Sequence, residues 1–260
     1  MSLVQALQRV LVKIIKGMKM KNEENMIFRQ LFDSETSTYT YVLADPETME
    51  GVIIDPVIEK VDRDLQVIKE LGLKLLYTIE THVHADHVTA SGNIRKKTGA
   101  KSVIGPDSGV DCADIYLGDD ETLKFGKYTI RALSTPGHTN GCTSYHVNGK
   151  VFSGDTLFVR GTGRTDFQQG SSEKLFKSVT EKLFSLPPST LIYPGHDYKG
   201  QSVSTIEEEK KYNPRINSET TLEKFVTIMD QLKLPDPKKI HEAVPANLVC
   251  GAKSRAWEII

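Results

Sequence analysis

Leu75-Leu76-Tyr77-Thr78-Ile79-Glu80-Thr81-His82-Val83-His84-Ala85-Asp86-His87 sets the fold and the chemistry of this chain. Its first five residues are apolar or β-forming, the pattern of a buried strand. Directly after them, three histidines and a carboxylate fall within six residues. A chain turns where a strand ends, so His82, His84, Asp86 and His87 can all be presented at one rim. Imidazoles and carboxylates are the side chains that hold iron, zinc and manganese. A solvated polar loop is the competing explanation, and the rest of the sequence decides between the two.

Three isolated candidates recur in the same context. His138 stands in Thr135-Pro136-Gly137-His138-Thr139, Asp155 in Ser153-Gly154-Asp155-Thr156, and His196 in Tyr193-Pro194-Gly195-His196-Asp197. Each follows a predicted strand and has a glycine immediately before it, which permits a sharp turn and close backbone approach. Four strand ends delivering ligands to one edge would build a metal site on a rigid sheet. His146, inside a strand, and His241, in the tail, read instead as ordinary core and surface histidines.

Outward from these motifs, strands and helices alternate. Strands are expected at 39–43, 51–56, 75–79, 101–104 and 191–193, with a hairpin around 125–128. Asn148-Gly149 between two β-forming runs is a strong hairpin signal. Helical spacing covers 62–71, closed by Gly72. It also covers a stretch ending near Lys97, residues 172–184, and 201–233 in two pieces broken near Asn213-Pro214.

The chain has 260 residues, enough for one large domain or a domain with an appendage. With 33 basic and 34 acidic side chains it carries no footprint for nucleic acid. No apolar run is long enough to span a membrane. Three widely separated cysteines, Cys112, Cys142 and Cys250, give no disulfide framework and point to a reducing compartment. Residues 1–22 are distinct: Leu3, Leu7, Val10, Leu11, Ile14 and Ile15 recur at helical spacing among basic residues, and no acid precedes Glu23. Such a start resembles a mitochondrial transit peptide. An amphipathic N-terminal helix packed on the domain and a membrane-surface helix are the competing readings. The expected organisation is therefore a targeting segment or N-terminal helix at 1–22, a catalytic domain at 23–200, and a short C-terminal extension at 201–260 packed on the core.

The ordered set THVHADH, PGHT, SGDT and PGH resembles the metallo-β-lactamase superfamily. That resemblance implies an α+β fold, an αβ/βα sandwich of two facing mixed β-sheets with helices on both outer faces and the metal at one edge. In dinuclear hydrolases of the superfamily, residues like His82, His84 and His138 hold one metal. Residues like Asp86, His87 and His196 hold the other, and Asp155 bridges. All seven are present. By ligand count alone this favours a glyoxalase II, which hydrolyses hydroxyacylglutathione thioesters. The flanking segments, however, resemble the persulfide dioxygenases (the ethylmalonic encephalopathy protein family). They are 137–143, Gly163-Arg164-Thr165-Asp166-Phe167-Gln168-Gln169-Gly170, 193–198, Asn213-Pro214-Arg215 and the tail 243–251. Thr162 departs from that pattern, standing where relatives often have cysteine. Only about 60 residues follow His196, too few for the larger helical domain that usually ends a glyoxalase II.

What the resemblance implies is a sulfur dioxygenase of sulfide catabolism. It would oxidise glutathione persulfide with O2 and water to glutathione and sulfite. One Fe(2+) per chain would be held by His82, His138 and Asp155. His84, Asp86, His87 and His196 would orient those ligands rather than bind a second metal. Two histidines and one carboxylate leave open positions on the ion for sulfur and O2. Glutathione carries two carboxylates, so Arg164 and Arg215 are candidate grips, with Tyr198 as a hydroxyl donor. Fold-stabilising roles compete for all three, beginning with an Arg164–Asp166 ion pair. Cys142 is expected to pack as a small buried residue. The expected partners are small molecules only, with no nucleic acid and no integral membrane segment. A homodimer is implied, in the mitochondrial matrix or, alternatively, the cytoplasm.

Overall fold

In the computed structural model, which describes residues 26–237 and 239–251, the side chains of the central strands alternate between two apolar layers. Six strands form the first sheet in simple sequence order: β1 (Ile27–Asp33), β2 (Thr38–Ala44), β3 (Glu50–Ile54), β4 (Lys74–Ile79), β5 (Lys101–Ile104) and β6 (Ile115–Tyr116). The second sheet runs β12 (Ser204–Thr205), β11 (Leu191–Pro194), β10 (Lys150–Gly154), β9 (Thr143–Val147), β8 (Tyr128–Ser134), β7 (Thr122–Phe125). Both are mixed: β3 to β6 pair in parallel, as do β10 and β11, and the remaining pairs are antiparallel.

Period-two alternation assigns the faces. Tyr41, Leu43, Val52, Ile54 and Ile79 of the first sheet meet Phe125, Ile130, Tyr145, Phe152 and Tyr193 of the second in one central layer. Val42 and Ile53 point the other way, onto α1 (Val61–Glu70) and α2 (Ser91–Thr98), through Ile68 and Ile94. Behind the second sheet, Leu133, Val151 and Ile192 pack on α3 (Ser172–Lys177), its continuation as a π-helix (Ser178–Leu183), and α5 (Leu222–Asp230). The result is the αβ/βα sandwich expected from the sequence. Helices α4 (Ile206–Tyr212) and α6 (Ile240–Leu248) complete the described chain.

Local signals map onto elements as expected. Asn148 and Gly149 both take positive φ, 47° and 69°, as the β9–β10 turn requires. Helix α4 ends at Tyr212, just ahead of the Asn213-Pro214 break.

One expectation is corrected. Cys112 and Cys250 form a disulfide across a sequence separation of 138, so the cysteines do include a cross-link and do not argue for a reducing compartment. Long separation hid the pair: nothing local links a loop after β5 to the end of α6. Cys142 is the free cysteine among the described residues and is buried. The basic stretch 1–22 lies outside the described residues.

Candidate metal centre

Each proposed ligand sits just past a strand of the two sheets. His82 follows β4, His138 follows β8, Asp155 follows β10 and His196 follows β11. Gly195 shows why a glycine precedes the last of these: a Cβ there would fall 2.6 Å from Asp155 Oδ1. Gly154, at φ 49°, turns β10 away beside Thr81, where a Cβ would meet the Thr81 hydroxyl at 2.5 Å.

His82, His138 and Asp155 converge, with one ligand atom from each lying within 4.8 Å of the others. Their hydrogen bonds decide which atoms are free. Thr81 donates its hydroxyl to Asp55 Oδ2 at 2.8 Å, so His82 Nδ1, 3.0 Å from Thr81 Oγ1, must be the donor to that hydroxyl oxygen. His138 Nδ1 donates to the Arg164 carbonyl at 2.8 Å. Both rings therefore leave Nε2 with its lone pair available. Asp155 accepts from His196 Nδ1 at 2.7 Å on Oδ1, which leaves Oδ2, 3.6 Å from His138 Nε2. Two imidazole nitrogens and one carboxylate oxygen thus face one point, each fixed from behind by a partner that sets its orientation.

Electrostatics agrees with that assignment. Burial, with the charge of His84, holds His82 well below the ordinary histidine range, so it is neutral. Burial alone would raise Asp155, but the charge and hydrogen bond of His196 outweigh it and keep the carboxylate far below its usual range. This donor set fits a metal ion and matches the two-histidine, one-carboxylate pattern of non-haem iron.

The other four candidates are brought close and meet neighbouring carboxylates or imidazoles, while His87 Nε2 and His84 Nδ1 are buried without a hydrogen-bond partner among the described residues. His196 gives Nε2 to Asp86 Oδ2 at 3.1 Å and to Thr38 Oγ1 at 3.2 Å. With Nδ1 on Asp155 as well, the ring is held as a cation: the two carboxylates outweigh burial and push it well above its ordinary pKa. His87 Nδ1 also binds Asp86 Oδ2, at 2.8 Å. His84 Nε2 lies 3.2 Å from Asp55 Oδ1 and 3.4 Å from Glu80 Oε2. Burial opposes its charge, but those carboxylates prevail and hold His84 up at about 10. Two further groupings, His84–Asp86–His87 and Asp55–Glu80–His84, have metal-like spacing. Both include His84, whose Nε2 faces Asp55 and Glu80. The first group is the one whose donor atoms are left free by their hydrogen bonds, with His138 and Asp155 open to the adjoining cavity.

A cavity of ≈ 580 Å³ opens over His138, Asp155 and His196. Arg164, Tyr198 and Arg215 all line it. Arg164 is held by Asp166 at 2.6 and 2.8 Å and by the Pro235 carbonyl at 2.8 Å. Arg215 is different. Its Nη1 reaches only the Thr162 carbonyl, at 2.6 Å, and among the described residues no carboxylate pairs with it. Burial pushes its pKa down. Tyr198 stacks on His196 with its ring 70% exposed to the cavity mouth. Cys142 is buried, and desolvation pushes its thiol up to about 12.

The profile of the metallo-beta-lactamase superfamily matches residues 34–196. Persulfide dioxygenase ETHE1, mitochondrial, of Mus musculus is 48% identical over 232 residues, covering 88% of this chain and 90% of that one. The Homo sapiens protein of the same name is also 48% identical over 232 residues, with the same coverage. The chain belongs to the persulfide dioxygenase family. A crystal structure of a persulfide dioxygenase family member, ETHE1 from Myxococcus xanthus, superimposes with a TM-score of 0.85 at 52% identity, covering 87% of this chain and all of that one.

Several supports in this persulfide dioxygenase chain were not singled out from sequence: Thr38, Asp55, Glu80 and Thr81 in the walls of the centre, and Lys199 at the cavity. Thr38 opens β2 and Asp55 directly follows β3, and both join the site only through folding. Glu80 and Thr81 sit inside the deciding stretch, but Thr89, which donates to Glu80, and Asp55, which accepts from Thr81, do not.

Proposed function

We propose that the chain oxidises glutathione persulfide with O2 and water to glutathione, sulfite and two protons, using one Fe(2+) held by His82, His138 and Asp155. The observation that carries this reading is the division of the seven candidate ligands. Three present free donor atoms to one point, while Asp86 is bound by His87 and His196, His196 is taken at both ring nitrogens, and His84 faces Asp55 and Glu80. That division favours one ion over the dinuclear site of a glyoxalase II-type hydroxyacylglutathione hydrolase. When bound, the iron supplies open positions at which a sulfur anion and O2 can be held side by side.

The protein's part is to bind, orient and exclude water. Arg215, half-buried and lacking a carboxylate of its own among the described residues, is placed to take a glutathione carboxylate as a two-pronged partner. Tyr198 offers a hydroxyl at the mouth, and Arg164 adds positive charge to the wall while its carbonyl fixes His138. His196 keeps Asp155 anionic and aimed. The relatives' mitochondrial names support a matrix location, with residues 1–22 as the import segment.

An oxygen electrode tests the reading. Iron-loaded protein should consume O2 when glutathione persulfide is added and produce sulfite in equal amount, and should leave lactoylglutathione intact. Thioester hydrolysis without O2 uptake would replace it with the hydrolase.

A further inference from the structure

Residues 81–88 carry the metal motif without helix or strand, and Val83, His84, Ala85 and His87 are buried there. Buried main-chain carbonyls outside regular structure need partners. Among the described residues, no main-chain N–H reaches the carbonyls of Val83, His84 or His87. Side-chain amides take all three. Gln168 Nε2 donates to Val83 O at 2.8 Å. Asn247 Nδ2 donates to both His84 O and His87 O at 2.9 Å, and Asn247 Oδ1 accepts from Thr89 N at 2.8 Å. Asn247 is 5% exposed and its amide is fully used.

Both amides are rigidly backed. Asn247 lies near the end of α6, where the Cys112–Cys250 disulfide anchors the chain and Gly92 N donates to Cys250 O at 3.1 Å. Gly251 presses so close that a Cβ would fall 2.2 Å from Thr89 O. Gln168 and Gln169 both hold positive φ, 47° and 59°, a conformation that non-glycine residues adopt only when their surroundings impose it. Neither amide lines the large cavity over His138 and Asp155.

We propose that Gln168 and Asn247 are positioning residues of the metal centre. Together they hold the backbone of 83–87 in the conformation that sends His82 to His138 and Asp155 and leaves His84 against Asp55 and Glu80. This deepens, and rests on, the metal reading above. It also gives a role to two segments, 165–170 and 243–247, that the chemistry itself does not use.

The test uses the full iron-loaded chain and two near-isosteric variants, Asn247→Asp and Gln168→Glu, each of which sets carboxylate oxygen against the carbonyls. Three quantities are read: release of Fe(2+) to a chelator, the visible spectrum of the cobalt-substituted protein, and far-UV circular dichroism. Both variants should keep the wild-type circular dichroism, lose iron at least about tenfold faster, and show a shifted cobalt band. Gln168 is half-buried on a loop, so its variant carries the test alone if Asn247→Asp does not fold. Folded variants with wild-type iron release and an unchanged cobalt spectrum would overturn the assignment. A wild-type chain that holds no iron would instead overturn the metal reading on which it rests.

Discussion

His196 Nδ1 lies 2.7 Å from Asp155 Oδ1, on the side of the carboxylate turned away from His138. A residue that would be a ligand in a dinuclear centre here braces the Asp155 carboxylate. The brace has its own support, since the other ring nitrogen meets Asp86 and Thr38.

His196→Gln should therefore lower metal affinity about 10–100-fold without abolishing the site. Competition with a chelator of known affinity measures this. An unchanged affinity would mean that Asp155 is oriented by something else.

Arg215 is the cavity guanidinium without a carboxylate partner among the described residues. Arg215→Lys keeps the charge but loses the planar fork, so KM for glutathione persulfide should rise roughly tenfold while kcat stays within about twofold. Steady-state O2 uptake across persulfide concentrations separates the two constants. A fall in kcat alone would remove Arg215 from substrate binding.

Asp64 on α1 is fully buried beside Arg63, and desolvation raises its carboxyl to about 6 against the pull of that arginine. A carboxyl raised on folding favours the protonated chain. Its penalty is absent below the ordinary value of 3.8, grows between 3.8 and about 6, and is constant above that. Asp64→Asn keeps an acceptor for Arg63 and removes the charge. It should stabilise the fold by on the order of 1–3 kcal/mol at pH 7.5, and by little at pH 4. Thermal melts at the two pH values check the sign, and a less stable variant at pH 7.5 would refute it.

The Cys112–Cys250 bond closes a long loop and fastens the last described helix to the body. Cys250→Ser should lower stability by about 2–4 kcal/mol, seen as a lower melting temperature under non-reducing conditions. A strong reductant should bring the wild type down to the variant. Equal melting of both without reductant would count against the cross-link.

The metal centre was legible because its ligands are polar residues in short motifs at strand ends, where apolar runs such as 75–79 stop abruptly. The hairpin at Asn148-Gly149 and the helix end before Asn213-Pro214 were legible because both are set by local backbone chemistry. What stayed hidden depends on distance along the chain. Asp55 meets His84 only when β3 and β4 pair side by side, and Asn247 meets the metal loop from 160 residues away. Strand β1 was also missed. It is an edge strand with Arg29 and Gln30 in its middle and little burial, so it lacks an alternating apolar signal. The disulfide belongs with these: composition argued against it, and only the fold brings Cys112 to Cys250.

Titrating Fe(2+) into metal-free protein while recording persulfide-dependent O2 uptake tests the central claim most directly. Activity should rise linearly and stop at one iron per chain, and Asp155→Ala should show neither the rise nor tight binding. A break at two ions per chain, or full activity without iron, would contradict a centre made of His82, His138 and Asp155 alone.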